Sequence, residues 1–333
     1  MQFHTEVDIK KGEFQLTHEQ NILLIGSCFA DNMGSKLAAA KFNVLCNPFG
    51  TLYNPMSIAW QIERAISGKP FTTSSEEILK DGDIYHSWMH HTTFSAKTVG
   101  ELIERMNVAM EHTHDALKTA STLIITFGTS IIYELKADGR LVANCHKQKD
   151  CLFTRRMLST NEITERWTQL CKTIHGFNPK VRIIFTVSPI RHKRDGFHLN
   201  QLSKATLLLA VDKIMQNAKT KVTSEYFPSY EIMMDELRDY RFYADDMIHP
   251  SQTAIDYIWE RFKTNYVSKT DEQIIKECNE IGNILAHRPS DPGSEAYMKL
   301  IQKTLDKIMQ LKNKYPYIKM DSEQELCNTI LKK

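Results

Sequence analysis

A chain of 333 residues is long enough to bury a large core, as one big domain or as a domain with an appendage. Its 42% apolar and 25% charged residues are ordinary for a soluble globular protein. A formal charge of +2, from 42 basic and 40 acidic residues, gives no electrostatic case for nucleic acid or an anionic membrane surface, and no apolar stretch of about 18 residues offers a membrane span.

In chain order, short apolar runs alternate with helical patterns, which predicts a parallel α/β sheet. Strands are expected at 21–25, 42–46, 122–127, 181–187 and 221–226, several of them apolar at consecutive positions as in strands covered on both faces. The first, Ile22-Leu23-Leu24-Ile25, stops at Gly26-Ser27-Cys28 and a helix over 29–40 follows, with Met33 and Leu37 on one face. Asn54-Pro55 reads as a cap plus a first-turn proline, with Ile58, Ile62 and Ile66 behind it. Residues 68–97 are polar and rich in aromatics and histidine (Tyr85, His86, Trp88, His90, His91), which reads as a long loop or insertion near the strand tips. Thr98…Glu101 and Ser159…Glu162 are capping boxes, the second opening the stripe Ile163, Trp167, Leu170, Cys171 and Ile174. Ile255, Ile258, Trp259 and Phe262 predict a helix packed back on the sheet. From Thr270 the pattern is helical: Thr270…Gln273 as a cap, a break at 289–293, then helices over 294–314 and 322–332. The expected division is a main domain at 1–268 and a helical extension at 269–333.

Two short stretches carry chemistry. A serine at the carboxyl end of a strand, opening a helix, has amide N–H groups and the helix dipole beside it, suited to a developing oxyanion; it is also an ordinary helix cap. Asp246-Met247-Ile248-His249 supplies a base and, three residues before it, a carboxylate to orient it. Asp245 competes for that role, but spacing favours Asp246. Cys28 adjoins the serine, yet successive side chains diverge, so Ser27 and Cys28 cannot both face His249; Cys28 reads as a packed small residue. Cys145, His146 and Cys151 are zinc-compatible types without a second ligand pair, so no metal is expected. Arg191-His192-Lys193-Arg194 reads as a solvated loop on the rim of the site. The stretch 235–243 reads as a scaffold in which Arg238 or Arg241 pairs a buried carboxylate. Seven irregularly spaced cysteines, and a start (Met1 to Glu6) without the features of a secretory signal, lead to an expected cytoplasmic location.

Further motifs, in order, carry a resemblance. Gly26-Ser27-Cys28-Phe29-Ala30, Asn47-Pro48-Phe49-Gly50-Thr51-Leu52-Tyr53-Asn54-Pro55, Phe127-Gly128-Thr129, Ala143-Asn144-Cys145-His146-Lys147, Val187-Ser188-Pro189-Ile190-Arg191-His192 and the Asp246 to Ser251 stretch make the chain similar to the GSCFA-domain family, a branch of the SGNH (GDSL-like) hydrolases, over roughly residues 15–265. The resemblance implies a three-layer α/β/α, flavodoxin-like fold with a parallel sheet of about five strands. It implies Ser27 as nucleophile, His249 as general base and acid, and Asp246 as its orienting partner, with no cofactor. It also implies an oxyanion hole built from the Ser27 N–H, the Gly50 N–H and an asparagine in a Gly-x-Asn block. Here the chain departs: the block reads Gly128-Thr129-Ser130, so Thr129, Ser130 or, from a neighbouring loop, Asn144 is left to supply the missing donor. Loss of such a donor costs about 3–4 kcal/mol of transition-state stabilisation. His146 and Lys147 are expected at the border of the pocket, with Tyr53, Tyr85 and Trp88 near the strand tips.

These readings lead to an expected serine esterase acting on an O-acyl group of a carbohydrate or small polar metabolite. An O-acyltransferase with the same serine chemistry, or a binding protein with reduced catalysis, are the alternatives.

Overall fold

Leu23 and Ile25 face one way along the first strand, Ile22 and Leu24 the other, and all four are buried. Such a strand needs cover above and below. The computed structural model, which describes residues 5–10 and 15–332, supplies it. β1 (Asn21–Gly26), β2 (Asn43–Cys46), β3 (Thr122–Phe127), β4 (Arg182–Val187) and β5 (Ser224–Phe227) form one parallel sheet in the order β5-β4-β3-β1-β2. Gly26 pairs in register with Thr126 and Thr126 with Thr186, so the carboxyl ends of the three central strands are level. The chain changes winding direction between β1 and β3, the place where open α/β sheets leave a crevice for ligands.

The longer helices of this part are α1 (Cys28–Ala39), α2 (Pro55–Ser67), α3 (Val99–Thr119), α4 (Thr160–Phe177), α5 (Phe197–Gln216) and α6 (Gln252–Tyr266). Helices α2 to α5 cover the Leu23/Ile25 face through residues such as Ile58, Met106, Trp167 and Leu207. Helices α1 and α6 cover the other with Phe29, Leu37, Ile258 and Phe262. The fold is therefore the three-layer α/β/α sandwich. Each fully buried side chain of this size contributes about 1.5–3 kcal/mol. The caps act as their sequences require: Asn54 Oδ1 accepts from the Ser57 amide at 2.8 Å, and Ser159 and Glu162 close a reciprocal box.

Three features differ from expectation. β5 begins at Ser224, because a 3₁₀ turn at Ala218–Thr220 ends in Lys221 with φ 59°, which no strand accommodates. The 68–97 region holds a hairpin, Ile78–Asp81 with Ile84–Ser87, reversed at Gly82 with φ 57°. Beyond β3, Leu141–Val142, Ile131–Leu135 and Phe153–Met157 form a small antiparallel sheet.

The C-terminal segment folds as α7 (Lys269–Ala286), α8 (Glu295–Lys314) and α9 (Asp321–Leu331) around its own core of Ile274, Ile281, Ile301, Ile308 and Cys327. α7 is capped by Ser268, whose hydroxyl accepts from the Asp271 amide, and not by Thr270, which lies inside its first turn. Asp271 in turn holds the buried His18 of the main domain, Oδ1 accepting from the His18 amide at 2.8 Å and lying 2.5 Å from Nδ1. Among the described residues no helix is long and apolar enough to cross a membrane.

Candidate active site

Gly26 ends β1 where a side chain has no room: a Cβ there would lie 2.3 Å from the Thr126 carbonyl oxygen. That close approach lets the chain turn directly into α1. Ser27 is the N-cap, 1% exposed, with extended backbone. Its Oγ accepts from the Phe29 amide at 3.3 Å, and its own amide donates to the Thr126 carbonyl at 3.2 Å. The hydroxyl thus stands at the positive end of the α1 dipole.

The second half of the site lies after β5. Asp246 folds the loop around itself: Oδ1 accepts from the amides of Ile248 at 2.8 Å and His249 at 2.9 Å, while Oδ2 lies 2.6 Å from His249 Nδ1. Met247, with φ 58°, makes the turn that permits this, and the Ala244 amide closes it on the His249 carbonyl at 2.8 Å. The His249 ring first, then the two amides, pull the Asp246 pKa down to about 2. Asp246 carries these bonds, as the three-residue spacing predicts. The other ring nitrogen, Nε2, has no partner among the described residues, and both side chains are about half exposed (46% and 45%).

The loop after β4 joins the two halves. The Arg191 amide donates to the Ile248 carbonyl at 3.2 Å and its guanidinium to the Met247 carbonyl at 2.9 Å. The next residue, His192, reaches Gly128 at the end of β3. A Cβ on Gly128 would lie 3.1 Å from the Tyr53 carbonyl oxygen, 3.3 Å from Ser27 Cβ and 3.5 Å from His192 Nε2. Burial, then the charge of Lys204, and more weakly that of His249, lower the His192 pKa to about 4, against the Gly128 carbonyl. Ser27, Gly128, His192 and the His249 loop therefore share the carboxyl edge of the sheet.

A buried polar row on α5 pins these loops. Asn200 Oδ1 accepts from the His192 amide at 3.0 Å, and Ser203 Oγ from the Ser130 amide at 2.8 Å. Lys204 Nζ donates to the carbonyls of Gly128 at 2.6 Å and Ser188 at 2.7 Å. Burial pushes the Lys204 amine down to about 7, while two carbonyls at such distances favour the ammonium. Neither His192 nor this row stands out in the sequence: His192 sits in a basic run that reads as solvated, and the row interrupts a helix without a clear apolar stripe.

The remaining expected residues divide. Tyr53 belongs to the Ser27 corner: its carbonyl accepts from the Gly128 and Thr129 amides at 2.8 and 2.9 Å, and its hydroxyl lies 3.5 Å from Cys28 Sγ. The Thr129 hydroxyl turns away to Ser203 Oγ at 3.1 Å. The Gly50 amide closes a turn on the Asn47 carbonyl at 2.8 Å. Asn144 spends its side-chain amide on Thr92 Oγ1 at 3.1 Å, and its Oδ1 accepts from the His146 amide. His146 is buried against the hairpin, its Nε2 2.7 Å from the Ser87 carbonyl and its ring stacked on His86. Among the described residues Arg238 and Arg241 hold no buried carboxylate: Arg238 reaches the exposed Asp235, and the buried Glu236 is held by Arg261 at 3.5 Å. Among the described residues no cluster of three or more His, Cys, Asp or Glu side chains could hold a metal.

The model of the GSCFA family matches residues 21–262, and that of the GSCFA domain protein, C-terminal domain, matches residues 278–333. Among curated proteins nothing matches. Among solved structures, the chain is similar to an acetyl xylan esterase (Est2A) from the rumen bacterium Butyrivibrio proteoclasticus, at 12% identity and a TM-score of 0.38, over 80% of this chain and 66% of that one. With the family model spanning β1 to α6 and the motif that names it closing the first strand, the chain belongs to the GSCFA family.

Proposed function

We propose that this protein is a serine hydrolase that cleaves an O-acyl ester of a carbohydrate or similar polar metabolite through an acyl-serine intermediate. The observation that carries this reading is the Asp246–His249 pair, set on the same carboxyl edge as Ser27 with Nε2 left unpartnered. Ser27 Oγ accepts from Phe29, which leaves its own proton for the imidazole. His249 Nε2 takes that proton as Oγ attacks the carbonyl carbon, then gives it to the departing alcohol oxygen. Asp246 keeps hydrogen on Nδ1 and stabilises the imidazolium. Water, activated by the same imidazole, then releases the acid and restores the serine.

The test is labelling by a fluorophosphonate probe together with hydrolysis of nitrophenyl acetate. Label on Ser27, and loss of both label and hydrolysis in Ser27→Ala, supports the proposal. An unlabelled Ser27 in folded protein, or a Ser27→Ala variant that still turns over, sinks it.

A further inference from the structure

Attack by Ser27 would convert a carbonyl oxygen into an oxyanion, so the site needs donors aimed at one point about 3 Å from the nucleophile. The Ser27 and Gly50 amides already have backbone partners, the Thr129 hydroxyl faces Ser203, and the Asn144 amide faces Thr92. The Cys28 amide, first in α1, has no partner among the described residues. A side-chain donor to replace the absent Gly-x-Asn asparagine is still required.

His192 is placed to be that donor. Its Nε2 is buried and has no hydrogen-bond partner among the described residues. It borders the space over Gly128 together with Ser27: the place a Cβ would take there lies 3.5 Å from Nε2, 3.3 Å from Ser27 Cβ and 3.1 Å from the Tyr53 carbonyl oxygen, and glycine keeps it free of a side chain. The Asn200 bond to its amide holds its backbone, and its ring packs edge-on against Tyr53, 6.2 Å between ring centroids. An unpaired buried donor is costly, and a substrate oxygen would satisfy it.

We propose that His192 is a catalytic residue of this site, its Nε2–H donating to the ester carbonyl oxygen as that oxygen becomes negative. The inference rests on the serine-hydrolase reading. With its pKa near 4 the ring is neutral at pH 7 and carries one proton. The proposal places that proton on Nε2, the buried nitrogen that no acceptor among the described residues takes up. His192 keeps its proton throughout, whereas His249 exchanges one.

The experiment compares His192→Ala and His192→Gln with the wild type and with Ser27→Ala on nitrophenyl acetate, with melting temperatures for all four. Expected is a fall in kcat of about 10²–10³-fold for His192→Ala with KM little changed. His192→Gln, which restores an N–H donor at similar reach, regains at least about tenfold of that loss. The pH profile keeps its shape in both, because the base remains His249. The proposal is overturned if His192→Ala keeps wild-type kcat while Ser27→Ala is inactive. It is equally overturned if folded His192→Gln does no better than His192→Ala, or if the acidic limb of the profile moves. Hydrolysis surviving in Ser27→Ala removes the hydrolase reading itself, and this inference with it.

Discussion

Among the described residues, two histidine–aspartate pairs of nearly equal length stand in opposite settings. At the junction with the C-terminal helices, His18 lies fully buried, Nδ1 2.5 Å from Asp271 and Nε2 2.8 Å from the Ala40 carbonyl, its ring stacked on Phe42. Both nitrogens lie against oxygen atoms, so neither is open and the ring is spent on structure. At the sheet edge, His249 holds Asp246 at 2.6 Å in a half-exposed loop and keeps its second nitrogen open. A short His–Asp contact is therefore no sign of catalysis in itself. What distinguishes the pair at the sheet edge is its unspent nitrogen, on which the proposed hydrolysis draws.

The contrast breaks most sharply at His249. Its replacement by alanine is expected to lower kcat by about 10⁴-fold or more while the melting temperature stays in place, measured by ester turnover and calorimetry on one preparation. His18→Ala should behave in reverse: removal of one partner of a buried pair costs about 3–5 kcal/mol in denaturant unfolding, with full activity per folded molecule. Burial alone would raise the Asp271 pKa, but hydrogen bonds from the His18 ring, the Ser268 hydroxyl and the His18 amide lower it. A carboxyl lowered in the folded state adds stability that is present above the ordinary carboxylate range and is lost as pH falls below it. An acid titration of the wild type should show that loss, and His18→Gln should flatten it.

Between these extremes stands Gly128, which keeps the space before Ser27 clear. In Gly128→Ala the new methyl would meet the Tyr53 carbonyl at 3.1 Å and Ser27 Cβ at 3.3 Å. Tyr53 must then shift by a few tenths of an ångström, and kcat/KM should drop roughly 10- to 100-fold. An unchanged value would mean that the open pair does not work through this space.

Much of this was readable from residue order. Strands apolar at consecutive positions, the caps at Asn54 and Ser159, and the Ser27, Asp246 and His249 motifs all act through neighbours a few residues away, which is the range a sequence displays. α5 was hidden because Leu202 and Leu209 are exposed while Leu207 and Val211 are buried, so apolar residues surround the helix without a stripe. His192 was hidden for a different reason: its company of Arg191, Lys193 and Arg194 signals solvent, and only the level ends of β3 and β4 bring its ring over Gly128. The donors expected at Gly50 and Asn144 show the same limit. Whether an amide is free depends on which loop crosses it, and no local pattern records that.

The smallest effect belongs to a second contact at the junction, the ion pair of Lys41 with Glu323 of α9. Both side chains are about 20% exposed, so water competes for the charges and screens them. Lys41 has φ 68°, and alanine or glycine would mix a backbone effect into the result, so Lys41→Met is the clean replacement. It should cost ~0–1 kcal/mol, shrinking as salt is added, with ester hydrolysis unaffected. If Lys41→Met matched His18→Ala in unfolding, burial would not be what separates the two contacts. The distinction between a histidine spent on structure and one held open for chemistry would then need a different physical basis.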